Sequence, residues 1–325
     1  MRASYDGKYI YTSIGKIDTE ENKIIDPCET PGCKHESFDC NRILFGNSSF
    51  KAYDGGFYYN YKNELYYRKD GQSTKLFENT FTSDFEVNEI SGEPGLFYIM
   101  SVDHEGLMCA GANYLFKVDF DGNLIYEPVI FSEDGYYDTY QMDDHKVIVI
   151  SCSDVMSIID LQEQTVDILK EKVGRAAYYE GNIYYNTYYV KDDKFYNKLM
   201  RCDENGQNEE ELLQDCIRFC FTGEDVFYVK QYGNFTLYKY NISTGKDESV
   251  LYLPDLTDEY QKEHSDDDLT GTWILDTKCI TYADDMIVVQ TFEPEYSGAN
   301  GYVLLDKNGA NPVYCKGIMY GIVPD

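Results

Sequence analysis

No apolar stretch in the chain reaches the length of a membrane-spanning helix, and the Met1-Arg2-Ala3 start lacks a signal peptide's apolar region. A soluble chain is expected. Because Tyr5-Asp6-Gly7 already opens a repeat, an export signal upstream of residue 1 stays open. The setting is then extracellular or cell-surface, and otherwise cytoplasmic. Basic residues are scarce, 28 Lys and Arg against 58 Asp and Glu, a net charge of −30. Such a balance repels phosphate backbones and anionic lipid, which excludes nucleic acid as the expected partner and direct membrane insertion of the domain. The carboxylates read as solvated loops and turns.

Enzyme signatures are missing too. There is no G-x-S-x-G nucleophile elbow, no phosphate-binding Walker loop and no H-E-x-x-H. The stretch Ser265 to Trp273 is two residues too long for a sialidase-type Asp box. Histidine occurs four times (His35, His104, His145, His264), so acid–base chemistry would fall to carboxylates too abundant to single out a pair.

What the chain has in excess is tyrosine, 33 residues against a single Trp, within a hydrophobic content of 43%. Tyr suits a pleated surface that buries its ring and wets its hydroxyl, so strands are favoured over helices. The pattern is clearest at residues 52 to 76, where the Asp54-Gly55 turn precedes Phe57-Tyr58-Tyr59 and Leu65-Tyr66-Tyr67 leads into the Asp70-Gly71 turn.

The first of these elements recurs seven times. The strands are Tyr9-Ile10-Tyr11, Phe57-Tyr58-Tyr59, Leu96-Phe97-Tyr98, Val147-Ile148-Val149, Ile183-Tyr184-Tyr185, Val226-Phe227-Tyr228 and Met286-Ile287-Val288. Each follows a turn: Asp6-Gly7, Asp54-Gly55, Pro94-Gly95, Asp143-Asp144, Glu180-Gly181, Glu224-Asp225 and Asp284-Asp285. A second element follows each copy, at Lys16-Ile17-Asp18, Leu65-Tyr66-Tyr67, Leu115-Phe116, Ile158-Ile159-Asp160, Leu199-Met200, Leu237-Tyr238 and Val303-Leu304.

Spacings of roughly 36 to 60 residues bracket those of propeller blades. The expected fold is all-β: a seven-bladed β-propeller of four-stranded antiparallel blades forming one domain over residues 1–325. A C-terminal strand over residues 318 to 322 is expected to complete the first blade and close the ring.

In a propeller the joints between strands two and three, and between blades, share one face. All the long insertions are assigned there: residues 26 to 50, 80 to 92, 102 to 113, 188 to 197, 252 to 278 and 292 to 301. Excess loop on one face of a rigid scaffold is where binding sites usually lie. Within these insertions His104, Tyr188, Tyr189, Asp192, Asp193, Trp273, Glu293 and Tyr296 are the candidate ligand-binding residues, since aromatic faces flanked by carboxylates suit sugar or peptide recognition.

The sharpest local signal is DPCETPGCKHESFDC at residues 26 to 40, which spaces Cys28, Cys33, His35 and Cys40 as C-x4-C-x-H-x4-C. Three thiolates and an imidazole can converge on one tetrahedral Zn²⁺ with no open position, a structural site. One disulfide with a spare thiol, or three thiols, are the other readings. Cys109, Cys152, Cys202, Cys216, Cys220, Cys279 and Cys315 are scattered. Of these Cys216 and Cys220 could pair or share one side of a short helix, although buried Cys is the more ordinary reading. Asn47, Asn234 and Asn241 stand in sequons, which matter only in a glycosylating host.

The CETPGCKHESFDC segment after a first blade, followed by Tyr-rich repeats such as LYYRKDG, resembles a family of β-propellers of clostridia-like Firmicutes, often lipoproteins or membrane-tethered. The repeats also resemble the propellers of low-density-lipoprotein-receptor-related proteins, although the YWTD tetrad is replaced by Tyr184-Tyr185-Asn186-Thr187. The resemblance implies a secreted or surface-displayed, non-enzymatic binding propeller; with the loop-rich face, the expectation is a monomer at the bacterial cell surface that binds a peptide, protein or glycan. The alternative is a carboxylate-dependent glycan hydrolase or lyase with its site at the propeller axis.

Overall fold

A computed structural model of the chain describes residues 4–5, 9–12, 15–21, 23–28, 30–34, 40–41, 44, 50–53, 56–61, 64–78, 85–86, 96–101, 113–119, 121, 123–132, 136–191, 194–230, 235–256, 262, 280–283, 285–292 and 299–316. Its strands form seven four-stranded antiparallel sheets. In chain order these are β1 to β4 (Ser4–Tyr5, Tyr9–Thr12, Gly15–Asp18, Lys23–Ile25), β5 to β8 (Phe50–Tyr53, Gly56–Tyr61, Glu64–Lys69, Gln72–Glu78) and β9 to β12 (Phe85–Glu86, Leu96–Ser101, Asn113–Val118, Leu124–Ser132). There follow β13 to β16 (Tyr136–Gln141, Lys146–Ser151, Val155–Asp160, Thr165–Glu171), β17 to β20 (Val173–Tyr179, Asn182–Lys191, Lys194–Asp203, Glu210–Gln214), β21 to β24 (Arg218–Thr222, Asp225–Val229, Thr236–Asn241, Asp247–Tyr252) and β25 to β28 (Ile280–Ala283, Met286–Phe292, Ala299–Asp306, Val313–Lys316). Every copy of the first repeated element lies in a second strand and every copy of the second in a third strand.

The chain divides into two compact units, Met1–Asn47 with Asp215–Asp325, and Ser48–Gln214. In the first, alternate residues of the seventh sheet serve two neighbours. Ile287, Val289, Val303 and Leu305 pack with Phe227, Val229 and Leu237 of the sixth sheet. The intervening Val288, Tyr302 and Leu304 pack with Ile10 and Ile17 of the first. The two ends of the chain thus meet through sheet faces.

The second unit repeats the device. Val147, Val149 and Ile159 of the fourth sheet face Leu115 and Val129 of the third, and Ile148, Ile150, Met156 and Ile158 face Val173, Ala176 and Ile183 of the fifth. A strand buried on both faces reads as a continuous apolar run, which is why Lys146–Ser151 contains Val-Ile-Val-Ile rather than an alternating pattern.

Fourth strands meet water. The strands at Thr165–Glu171 and Asp247–Tyr252 consist of exposed and half-buried residues, with none fully buried. Tyrosines of the second strands reach across to them. The Tyr228 hydroxyl donates to Asp247 at 2.8 Å, Tyr185 donates to Glu209, and Tyr59 donates to Ser73 Oγ at 3.0 Å. Burial, then the neighbouring carboxylate, pushes the Tyr228 and Tyr185 hydroxyls well above their ordinary pKa. Part of the acid excess is therefore structural acceptor rather than solvated loop.

The other structural acids close the turns between third and fourth strands. Oδ1 of Asp18, Asp119, Asp160, Asp203 and Asp306 each accepts two backbone N–H groups of its own turn. Asn241 takes the same position in the sixth sheet, accepting from Thr244 N at 2.9 Å. Its amide nitrogen donates to Asp225, so this sequon asparagine is engaged in the fold. Asp70-Gly71 instead makes a two-residue turn with both φ values positive, as does Glu180-Gly181, the conformation that matches strand twist.

Several expectations are corrected. Residues 188–191 and 194–197 are paired strand, not loop, because tyrosines and Phe195 find cross-strand partners there. The stretch 80 to 92 is interrupted by Phe85–Glu86, which pairs with Ile99 and Met100, so residues 87–95 join strands one and two and the excess chain is not confined to one end. The sixth-sheet turn centres on Gly223-Glu224, since Asp225 already pairs with Thr222. Cys216 precedes β21 and Cys220 lies within it, with no helix between them. The first sheet draws all four strands from residues 4–25, so it does not need a C-terminal strand; residues 318–322 lie outside the described residues.

Replacing Tyr228 by Phe should lower stability by about 1–2 kcal/mol, because a hydrogen bond to a charged acceptor is lost while the ring stays packed; urea denaturation measures it. The turn carboxylates fix the acid response. Backbone N–H donors, Ala310 first, hold Asp306 below its ordinary pKa. A depressed folded value adds stability above the unfolded pKa and forfeits it as pH falls through the folded value. Thermal melts of Asp306→Asn should accordingly start lower at pH 7 and fall less steeply than wild type below pH 4.

Candidate functional site

The cysteine-rich segment leaves β4 through three local devices. The Asp26 carboxylate accepts the Cys28 N–H at 2.8 Å. Cys33 N–H closes a turn onto the Thr30 carbonyl at 3.2 Å with Pro31-Gly32 at its centre. Gly32 has φ +71, the left-handed conformation that a type II turn requires after proline. Cys40 opens a helical turn whose carbonyl accepts Leu44 N–H at 3.1 Å, and Asn41 Nδ2 reaches back to the Pro27 carbonyl at 3.4 Å.

These bends bring the sulfurs of Cys28, Cys33 and Cys40 within 4.8 Å of one another. All three are thiols. Cys40 is 4% exposed, Leu44 beside it is fully buried, and Cys28 and Cys33 are half-buried. Sulfurs on one tetrahedral zinc, with Zn–S about 2.3 Å, stand about 3.8 Å apart, so a modest contraction would seat the ion. The donor set is soft and fits Zn²⁺; His35, the fourth donor expected from the spacing, lies outside the described residues.

A second feature belongs to the fifth sheet. Its second and third strands are ten residues each, whereas its first has seven and its fourth five. Pairing with β17 ends at Thr187 opposite Val173, and pairing with β20 ends at Lys198 opposite Gln214. Beyond these points residues 188–191 and 194–197 have no strand partner but each other among the described residues, a two-stranded ribbon past the sheet. Tyr189 and Tyr196 stack at 5.2 Å between ring centroids, Tyr188 packs on Phe195 and donates to Asp154, and Val190 and Phe195 are 58% and 72% exposed. Tyr188 and Tyr189, expected in a loop, occupy successive positions of this ribbon instead, so their rings take different partners, Phe195 and Tyr196. Asp192, Asp193, His104, Trp273, Glu293 and Tyr296 lie outside the described residues.

Sequence reasoning passed over one group, Asp143-Asp144-His145 in the β13–β14 turn. His145 Nδ1 lies 2.7 Å from Asp144 Oδ1 and 3.4 Å from Asp143 Oδ1. The imidazole contact holds the Asp144 carboxyl below its ordinary pKa. Lys117 donates to the Asp144 carbonyl, and its burial lowers the pKa of the ammonium. Asp143 Oδ1 meanwhile caps the N–H groups of His145 and Lys146. An acidic pair beside one histidine was the only signal, and acidic pairs abound in this chain.

No protein-family model and no curated protein sequence matches the chain. Solved structures do. An oligogalacturonate lyase from Vibrio parahaemolyticus is 15% identical, with a TM-score of 0.51 over 80% of this chain and 74% of that one. PorZ, a bacterial surface component of the type-IX secretion system of Porphyromonas gingivalis, is 11% identical, with a TM-score of 0.51 over 99% of this chain and 38% of that one. AztD from Citrobacter koseri is 11% identical, with a TM-score of 0.42 over 83% and 73%. The likeness shows a β-propeller-like fold.

Thiol chemistry should separate the cysteines. Burial pushes Cys202 up to about 11 and Cys315 up to about 12. With iodoacetamide at pH 8, peptide mass spectrometry should find exposed Cys152 and half-buried Cys28 and Cys33 modified first in metal-stripped protein. Cys202 and Cys315 should follow on the order of 100-fold more slowly, since the thiolate is the reactive form.

Proposed function

We propose that the protein is a seven-bladed, non-catalytic binding propeller that recognises a peptide, protein or glycan at the bacterial cell surface. The reading is carried by one observation: Val190 and Phe195 stay exposed on a ribbon that outruns its sheet at the end where strands two and three join. Apolar side chains left exposed on such a ribbon are a cost to solubility unless a partner covers them. Packing of the first sheet on the seventh supports ring closure. Placement at the surface rests on the resemblance of the Cys-His segment and the Tyr-rich repeats to surface propellers.

The insertion after β4 is read as braced by a structural zinc held by Cys28, Cys33, His35 and Cys40. The spacing supplies four donors and the local turns bring three of them together. Ligation also keeps adjacent thiols from oxidising outside the cell. A pre-shaped insertion costs less ordering on binding than a slack one.

The hydrolase or lyase reading is weaker. Both its best acid–histidine candidates, Asp143 and Asp144, are occupied in a turn between strands one and two, the opposite end from the ribbon.

Immobilised peptide and glycan arrays probed with the whole chain should give retained ligands with no turnover; cleavage across a polysaccharide panel would replace this reading with the catalytic one. Elemental analysis of protein purified without added metal should find about one zinc per chain. Cys33→Ser and Cys40→Ser should lose it and melt earlier, whereas a disulfide among the three in mass spectra would eliminate the metal.

A further inference from the structure

The open edge of the fifth-sheet ribbon has a polarity of its own. Tyr188 N–H donates outward to the Lys172 carbonyl at 3.3 Å, on the side away from β19. Antiparallel pairing alternates inward and outward backbone groups, so the N–H and C=O of Val190 also point outward along that edge. No described strand lies beside it, because the register of β17 starts with Val173 opposite Thr187. Lys172 at the base of this edge and Lys191 at its far end are both exposed. Neither makes an ion pair among the described residues, in a chain with twice as many acids as bases.

From these observations we infer that the edge of β18 around Val190, beyond the Tyr188–Lys172 hydrogen bond, takes up an extended, acidic polypeptide segment as an added strand, in line with β17, with its apolar residues on Val190 and its carboxylates toward Lys172 and Lys191. Backbone hydrogen bonds supply the affinity in this mode and alternate side chains the selectivity. The unoccupied edge otherwise presents a template for indiscriminate pairing, which lysines at its two ends discourage. Acid surplus elsewhere on the chain opposes a second copy as occupant, and outward backbone donors favour a polypeptide over a glycan. The inference rests on the binding reading and narrows it to one ligand class and one mode.

The test uses the whole chain and fluorescein-labelled octapeptides of alternating Val-Glu and Val-Lys sequence, read by anisotropy. The Val-Glu peptide should bind, and the Val-Lys peptide about tenfold more weakly or not at all. Val190→Pro removes an outward donor and no ladder bond, so it should weaken binding of Val-Glu about tenfold with an unchanged melting temperature. Lys172→Glu, which leaves the edge intact, should weaken it comparably and keeps the test valid if the proline variant melts early.

Wild-type protein that does not bind Val-Glu, or that binds it as well with Lys172→Glu and Val190→Pro, overturns the inference. So does binding of an oligouronate in its place, which assigns the ribbon to a glycan, or a concentration-dependent dimer in sedimentation that Val190→Pro abolishes. Array ligands retained equally by these variants overturn this inference alone, whereas wild-type protein that retains nothing on either array removes the binding reading as well.

Discussion

Burial on both faces of a sheet is the constraint from which the other features follow. In the seventh sheet, neighbouring residues Ile287 and Val288 point to different partners, the sixth and first sheets respectively. In the fourth sheet Val147 and Ile148 do the same. A strand with two buried faces has few positions left for polar groups, so second strands such as Lys146–Ser151 and Asp225–Val229 carry Val, Ile and aromatic residues without alternation. Tyrosine solves the remaining difficulty. Tyr185 packs its ring between the fourth and fifth sheets, Tyr228 sets its ring against Tyr238, and both pass their hydroxyls outward to carboxylates near the fourth strands.

Because the faces are committed, variation is confined to the ends of the sheets. Where third and fourth strands join, one acidic or amide side chain per turn is sufficient to organise the backbone, as Asp203 does for Asn205 and Gln207. Glycine enters that economy at a specific place: Gly309, at φ +82, lies where a Cβ would come within 2.7 Å of Phe227. At the opposite end the chain adds what the fold does not need, the cysteine-bearing insertion after β4 and the ribbon of β18 and β19. Both have internal order, from convergent sulfurs in one and stacked rings in the other.

The comparisons fit this division. Identity of 11 to 15% with a TM-score of 0.51 is a likeness of fold alone and leaves the chemistry of any site unconstrained. A lyase and a secretion-system component can share such a fold because function resides in sites added to a frame and not in the frame itself.

The sequence by itself determined the seven repeated strand pairs and the turn chemistry. Each depends on neighbours a few residues away: Ile183-Tyr184-Tyr185 is a strand after Glu180-Gly181 because positive φ at those two positions closes a hairpin. The spacing of Cys28, Cys33 and Cys40 was likewise local, since Pro31-Gly32 provides the bend. Only the tertiary structure decided that residues 188–191 and 194–197 continue as paired strand, that Phe85–Glu86 heads the third sheet, and that His145 meets two carboxylates. Register, exposure and cross-strand partners arise between segments distant along the chain, and no local propensity encodes which of several aromatic runs will find a partner and which will be left facing water.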